Sequence, residues 1–348
     1  MSGQSGGLRL KELDALRGIA ALSVLLFHYA NQYQQTYHHL GKIPFTFEVG
    51  KYGVQLFFVI SGFVIFWTLD RTRRVGDFVL NRFARLYPAY WASLAITVAL
   101  VAIAGLPNQG VGAWDILLNI TMFPDFLSAK AVDGSYWTLQ IELFFYAQML
   151  LWYQVGALRR IRWVIAGWLV LATVYAVASL RGTPLSYTIR ELLIVRYAHC
   201  FAVGILMYQM RSAGRLSAAD WLLVAGAHLV SWLTWGPVET FVLGMCTGLF
   251  LLMNAGRLGV LANRPLIFLG GISYALYLLH QEIGYIFIAY LERLGLGPLA
   301  SIFVTTALMI LCAWLLSRYL EQPANRFLRR RYERWRGAAT GVGSGSSH

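Results

Sequence analysis

From Gly50 to Leu69 the chain runs through about twenty residues with a single charge, Lys51, and stretches of this kind recur along its length. A helix needs about 20 mostly apolar residues to cross a bilayer, because every backbone polar group must be satisfied within the segment. Ten such stretches are predicted as helices: Leu16–Tyr33, Gly50–Leu69, Tyr90–Leu106, Ser135–Val155, Ile161–Leu180, Glu191–Met210, Ala219–Trp235, Val238–Ala255, Leu266–Leu291 and Pro298–Leu320. Composition agrees. Of 348 residues, 58% are hydrophobic and 13% charged, against roughly 25% charged in a soluble domain. That excludes a disordered chain and argues against a soluble enzyme. Strict alternation is absent, which excludes a β-barrel. The expected fold is all-α and polytopic, one transmembrane domain over residues 1–336. Residues 337–348 read as a flexible tail or linker, and Ala113–Leu118 as a short interfacial helix anchored by Trp114.

The basic residues test the helix count. If the ten helices alternate direction, 22 of the 29 Lys and Arg fall on one side and 6 on the other, with Arg196 inside a span. Lys and Arg accumulate in cytoplasmic loops, so both termini are expected in the cytoplasm. The same distribution accounts for the net charge of +13 without a nucleic-acid partner. The Arg326–Arg336 run is expected to touch anionic lipid. Asp14 and Arg17 near the start of the first helix, with no small-residue cleavage site after it, mark a span rather than a cleavable leader. Cys200, Cys246 and Cys312 lie in apolar stretches and read as buried hydrophobes. No metal-ligand spacing is present.

Titratable groups within a span are costly and mark function. His28 lies roughly 8 Å from the outer end of the first helix, and Glu142 roughly 10 Å from the outer end of the fourth, at 1.5 Å per residue. Their matching depth suggests a hydrogen-bonded pair in which the imidazole serves as general base. His280 lies near mid-membrane in the ninth helix. His199 and His228 read as core histidines, His38 and His39 as a solvated loop pair, and Ser61-Gly62 as a close helix contact rather than a nucleophile.

At the cytoplasmic end, Asp14 and Arg17 are one turn apart, as are Arg82 and Arg85 just before Leu86-Tyr87-Pro88. Arginine suits phosphate. Arg17 lies eleven residues, about 16 Å, from His28. That span fits a long carrier whose phosphates stay in the cytoplasm while its reactive end reaches inward, such as coenzyme A.

Six blocks resemble the membrane-bound acyltransferase-3 family of O-acyltransferases: Leu13-Asp14-Ala15-Leu16-Arg17-Gly18 running on to Phe27-His28-Tyr29; Gly53 to Phe63; Arg82-Phe83-Ala84-Arg85-Leu86-Tyr87-Pro88; Tyr136 to Glu142; Ile272 to His280; and Leu320-Glu321-Gln322-Pro323. They follow family order along the whole chain. The resemblance implies ten spans in the bacterial inner membrane. It also implies transfer of an acyl group, often acetyl, from cytoplasmic acyl-CoA to a hydroxyl of a glycan or glycolipid, with no permanently bound cofactor. His28 and Glu142 are then the expected catalytic residues. Asp14, Arg17, Arg82, Arg85 and Tyr87 are expected on the acyl-CoA, and Tyr29, Tyr136, Trp137 and His280 on the acceptor. Some members carry a C-terminal SGNH esterase-like domain. No counterpart is present in this sequence, so a stand-alone member is expected. Family acceptors vary too widely to name one. Two alternatives remain open. One is a transporter using the buried His and Glu as a proton relay, although no inverted repeat is visible. The other is acylation of a small molecule such as a macrolide at the cytoplasmic face.

Overall fold

The computed structural model describes residues 10–183 and 185–341, with side chains described through Arg336. It is all-helical, and the long helices are α1 (Lys11–Phe27), α2 (Gly53–Asp70), α3 (Val75–Ala104), the short α4 (Ala113–Asn119), α5 (Trp137–Gln154), α6 (Ile161–Leu180), α7 (Ala198–Ala213), α8 (Ala218–Trp235), α9 (Pro237–Asn254), α10 (Arg264–Leu279), α11 (Glu282–Arg293), α12 (Pro298–Leu316) and α13 (Gln322–Gly341). Among the described residues, six helical stretches are long and apolar enough to cross a membrane, and seven if α10 and α11 count as one broken span. The short helix expected at Ala113–Leu118 is present as α4, with Trp114 exposed. The backbone stays helical through Gly341, so residues 337–341 of the expected tail extend α13; residues 342–348 lie outside the described residues.

Two glycine-lined crossings hold the frame. α1 lies along α10, and α2 along α7. A Cβ on Gly18 would meet the Leu266 carbonyl oxygen, and one on Gly270 the carbonyl of Asp14. Gly62 and Gly204 are related in the same way, facing the carbonyls of Phe201 and Val59. Small residues let backbones approach this closely, and van der Waals contact replaces the hydrophobic drive that hydrocarbon surroundings lack. Gly62 is therefore a close packing contact, as expected of the Ser61-Gly62 pair, whereas Ser61 turns its hydroxyl toward Glu142.

Several boundaries differ from the sequence reading, each for a local reason. The third helix begins fifteen residues earlier than expected, at Val75, so Arg82 and Arg85 are helical and Pro88 lies inside the helix. The sixth does not run unbroken from Glu191. Ile194 adopts a left-handed backbone (φ 49°), and α7 starts only at Ala198. Arg196 sits in that turn with its guanidinium over the Trp235 ring, 4.4 Å from the centroid, while its carbonyl accepts a hydrogen bond from Trp235 Nε1. The ninth helix breaks at His280–Gln281, and α11 departs from α10 by 78°. His39 is buried rather than solvated: Nδ1 bonds Glu292 Oε1 at 2.5 Å, and Nε2 lies 3.0 Å from the Tyr29 carbonyl.

The crossings yield a test. Gly204→Val forces a branched side chain into the Val59 carbonyl and should lower unfolding stability by about 1–3 kcal/mol or more. Gly248→Ala, where a Cβ meets nothing within 4 Å, should leave it unchanged or slightly raised. Thermal unfolding of the detergent-solubilised variants checks both.

Candidate active site

Two cavities lie side by side in the bundle. The first is a narrow slot of about 90 Å³. α1 contributes Arg17 to it, α3 Arg82 and Arg85, α5 Glu142 and Tyr146, and α10 Tyr274. Among the described residues, no carboxylate lies within the 4 Å ion-pair distance of these three arginines. Arg82 Nε is buried and, among the described residues, has no hydrogen-bond partner. Cations gathered in a cavity with orphaned N–H groups form a site for an anion. Glu142 faces them across the slot, its Oε1 accepting from Ser61 Oγ at 2.6 Å and Tyr146 OH at 2.5 Å. Both donors hold the carboxylate in place.

The second cavity is roomier, about 550 Å³. His28, Gln55, Trp137, Tyr197, Trp235 and Gln281 stand on its wall, and Lys51 and Glu239 at its polar rim. Val54 and Tyr277 belong to the walls of both cavities. Tyr277 is fixed there, its hydroxyl 2.7 Å from Thr138 Oγ1 and donating to the Ser135 carbonyl at 3.1 Å.

His28 opens a π-helical turn, His28–Gln32, at the end of α1. Such turns recur at functional sites. Its Nδ1 lies 2.8 Å from the Val24 carbonyl and 3.2 Å from His280 Nε2. His280 Nδ1 in turn lies 2.7 Å from the Tyr277 carbonyl. A carbonyl only accepts, so both Nδ1 atoms carry the proton. The Nε2 lone pair of His28 is then left for the cavity, and His280 backs the ring with its own Nε2 as second acceptor. The expected His28–Glu142 pair is not formed. Glu142 belongs to the arginine slot, and the neighbour of His28 is His280, buried behind it rather than lining the cavity.

Other residues are placed differently from expectation. Tyr29 and Tyr136 are buried and do not line the second cavity. Their hydroxyls donate to the carbonyls of His280 (2.8 Å) and Leu278 (3.3 Å), so they hold the end of α10. Trp137 does face the cavity. Tyr87 stacks on Phe83 and donates to the Thr121 carbonyl, away from the slot. Asp14 sits about one turn from Arg17 on α1 but is not on the slot wall. Sequence reasoning passed over Asp133. Its carboxylate accepts from Ser135 N and Oγ and caps the Glu282 N–H at 3.1 Å, pinning the break that positions His280. Burial pushes this carboxyl up to about 6. Its signal was an acid three residues before Tyr136. Gln55 and Tyr277 were visible only as polar positions inside apolar helices.

The profile of the acyltransferase domain (Acyl_transf_3) matches residues 10–318. The chain belongs to the acyltransferase-3 family. Among curated relatives, the acyltransferase MdmB of Streptomyces mycarofaciens is 28% identical, covering 93% of this chain and 94% of that protein. The exopolysaccharide production protein ExoZ of Rhizobium meliloti is 31% identical over 87% of this chain and 95% of its own. The peptidoglycan O-acetyltransferase OatA of Listeria monocytogenes is 24% identical over 40% of this chain and 23% of its own. Within this family of membrane acyltransferases, the present chain carries its arginines and its cavity-facing histidine in two separate but adjoining chambers.

Glu142 gives a test independent of turnover. Tyr146→Phe removes one of its two donors and should cost about 1–3 kcal/mol of stability, since the part-buried carboxylate loses a hydrogen bond. Adding Glu142→Gln should return most of that loss, measured by thermal unfolding in detergent.

Proposed function

We propose that the protein is an O-acyltransferase of the bacterial inner membrane, moving an acetyl or other short acyl group from cytoplasmic acyl-CoA to a glycan hydroxyl on the opposite side. The observation that carries this reading is the pair of adjoining cavities, arginine-lined on one side and histidine-lined on the other, with Val54 and Tyr277 common to both. Ten crossings with both termini inside remain the best account of the 22-to-6 division of basic residues.

In this mechanism, Arg17, Arg82 and Arg85 hold the donor's diphosphate. Charge-assisted contacts to phosphate are the strong class of hydrogen bond. The uncharged pantetheine arm enters the narrow slot and brings the thioester to the Val54–Tyr277 wall. The acceptor enters the wider cavity, where Trp137, Tyr197 and Trp235 offer aromatic faces to a sugar. His28 Nε2 takes the proton of the acceptor hydroxyl as its oxygen attacks the thioester carbonyl. The C–S bond then breaks, and the departing thiolate receives that proton. His280 keeps the ring oriented. Glu142 balances the arginine charge while the slot is empty and repels a misplaced anion. The ester product leaves on the acceptor's side.

Three outcomes are expected. His28→Ala should lower transfer by ~10²–10⁴-fold, the usual range for loss of a general base, with CoA binding retained; a variant keeping more than a tenth of the rate would refute the assignment. Arg85→Ala should raise the apparent KM for acyl-CoA about tenfold or more, from loss of a contact worth ~1.5–3 kcal/mol, and leave the acceptor KM unchanged. In sealed, oriented vesicles, acyl-CoA should work only from the cytoplasmic side, and an impermeant acceptor should be consumed only on the other. Modification of that acceptor only when it shares a compartment with acyl-CoA would show a single-faced enzyme instead.

A further inference from the structure

A second cationic hollow opens on the protein surface next to the arginine slot. Arg71 and Arg73 from the α2–α3 turn line it, with Asp77 and Asn81 from the start of α3 and Arg329 and Arg336 from α13. It measures about 410 Å³. Its two sides are tied together without any ligand. Arg336 Nη1 pairs with Asp77 Oδ1 at 3.1 Å, and Tyr332 packs so tightly on Gly76 that a Cβ there would meet the phenol oxygen at 2.7 Å. The hollow is therefore a formed depression and not a gap between loose elements.

Its charges are unequally satisfied. Arg336 is matched by Asp77, and the Arg71 guanidinium lies over the Trp67 ring, 5.1 Å from the centroid. Arg73 and Arg329 are exposed, and among the described residues neither has a carboxylate within ion-pair distance. Arg329 lies in the field of Glu333 on its own helix, and also in that of Arg85, which lines the slot. Two guanidiniums that feel one another, one in the hollow and one in the slot, favour an anion reaching between them. α3 joins the two places: Asn81 faces the hollow, and Arg85, four residues on and about 6 Å further along the axis, faces the slot.

A ligand satisfying this layout has one anionic group in the hollow, a second at Arg82 and Arg85, and a thin uncharged arm for the slot beyond. We propose that the surface hollow binds the 3′-phosphorylated nucleoside end of the donor, with Arg73 and Arg329 on the 3′-phosphate. The proposal rests on the acyl-CoA reading above and adds to it the residues by which this chain recognises the nucleotide. It makes the 3′-phosphate a determinant of affinity, although that group lies at the far end of the molecule from the thioester.

The test compares CoA with 3′-dephospho-CoA, titrated calorimetrically into the purified full-length protein in detergent. The wild type should bind CoA at least tenfold more tightly than the dephospho form. The Arg73→Ala/Arg329→Ala double variant should lose that preference while its affinity for dephospho-CoA stays within threefold of wild type. Both side chains are exposed and, among the described residues, form no ion pair, so folding should be untouched; an unchanged melting temperature checks this. A wild type without preference, a double variant that keeps it, or one that weakens both ligands alike would overturn the proposal. Repeating the titration with phosphatidylglycerol, and with phosphatidylcholine as control, separates the nucleotide from a lipid phosphate. If the anionic lipid alone erases the preference by weakening CoA, the hollow is a headgroup site and the proposal falls. A wild type that binds neither form of CoA would instead refute the donor assignment itself.

Discussion

The close crossing of α1 on α10 is the constraint from which both cavities follow. α1 carries Arg17 toward one end and leads into His28 at the other, and α10 carries Tyr274, Tyr277 and, just past its end, His280. Backbone meets backbone at Gly18 and Gly270, so neither helix can slide or rotate against its partner without driving a carbonyl into a neighbour. This contact sets Tyr274 opposite Arg17 and His280 against His28. Helices meeting through long side chains would leave room for adjustment; helices meeting through glycine do not. The α2–α7 crossing does the same for the other half, placing Ser61 beside Glu142 and Val54 in the shared wall.

Much of this was legible in the chain, and the parts that were not share a cause. Helix content followed from apolar length alone. The grouping of Arg17, Arg82 and Arg85 followed from charge at one end of two helices. What depth could not supply was azimuth. Glu142 and His28 were placed at similar depth, but the pairing also needs their helices to present them to each other, and Glu142 turns toward Ser61 and the arginines instead. Tyr29 and Tyr136 failed similarly. Both are aromatic and lie near the site, but each spends its hydroxyl on a carbonyl at the end of α10. The break at His280–Gln281 had no proline or glycine at the bend itself to announce it. It is held from outside by Asp133, a residue nearly 150 positions away in sequence.

In the proposed mechanism, dividing the arginines and the general base between two chambers answers a problem of charge in an apolar surrounding. Guanidiniums and a general base have opposite needs: the first require anions and solvent access, while the second works best with its lone pair unshared. A single cavity holding both would put cations close to the imidazole and bias it against accepting a proton. Here the arginines share a slot with Glu142, whose charge opposes theirs, and His28 lies in a chamber walled mainly by neutral and aromatic groups, with Lys51 and Glu239 its charged lining residues. Tyr277, held by Thr138 and Ser135, stands in the wall that the two chambers share, where donor and acceptor meet in the proposed mechanism.

The π-helical turn at His28–Gln32 bears on how α1 relates to the segment beyond it. An α-helix turns by about 100° per residue, and a π turn accommodates one residue more than an α turn would. Everything before the turn keeps one angular register, and everything after it is displaced by about that angle. Upstream, Gly18 and Leu25 meet α10 in the first register. Downstream, Asn31 reaches Glu48 and the Phe47 N–H, and Tyr33 stacks on Tyr285, in the second. Removing one residue from the turn would restore an unbroken α-helix with its lower half undisturbed, yet it would swing Asn31 and Tyr33 off their partners. The helix therefore behaves as two splines on one shaft, and His28 occupies the joint where their phases differ.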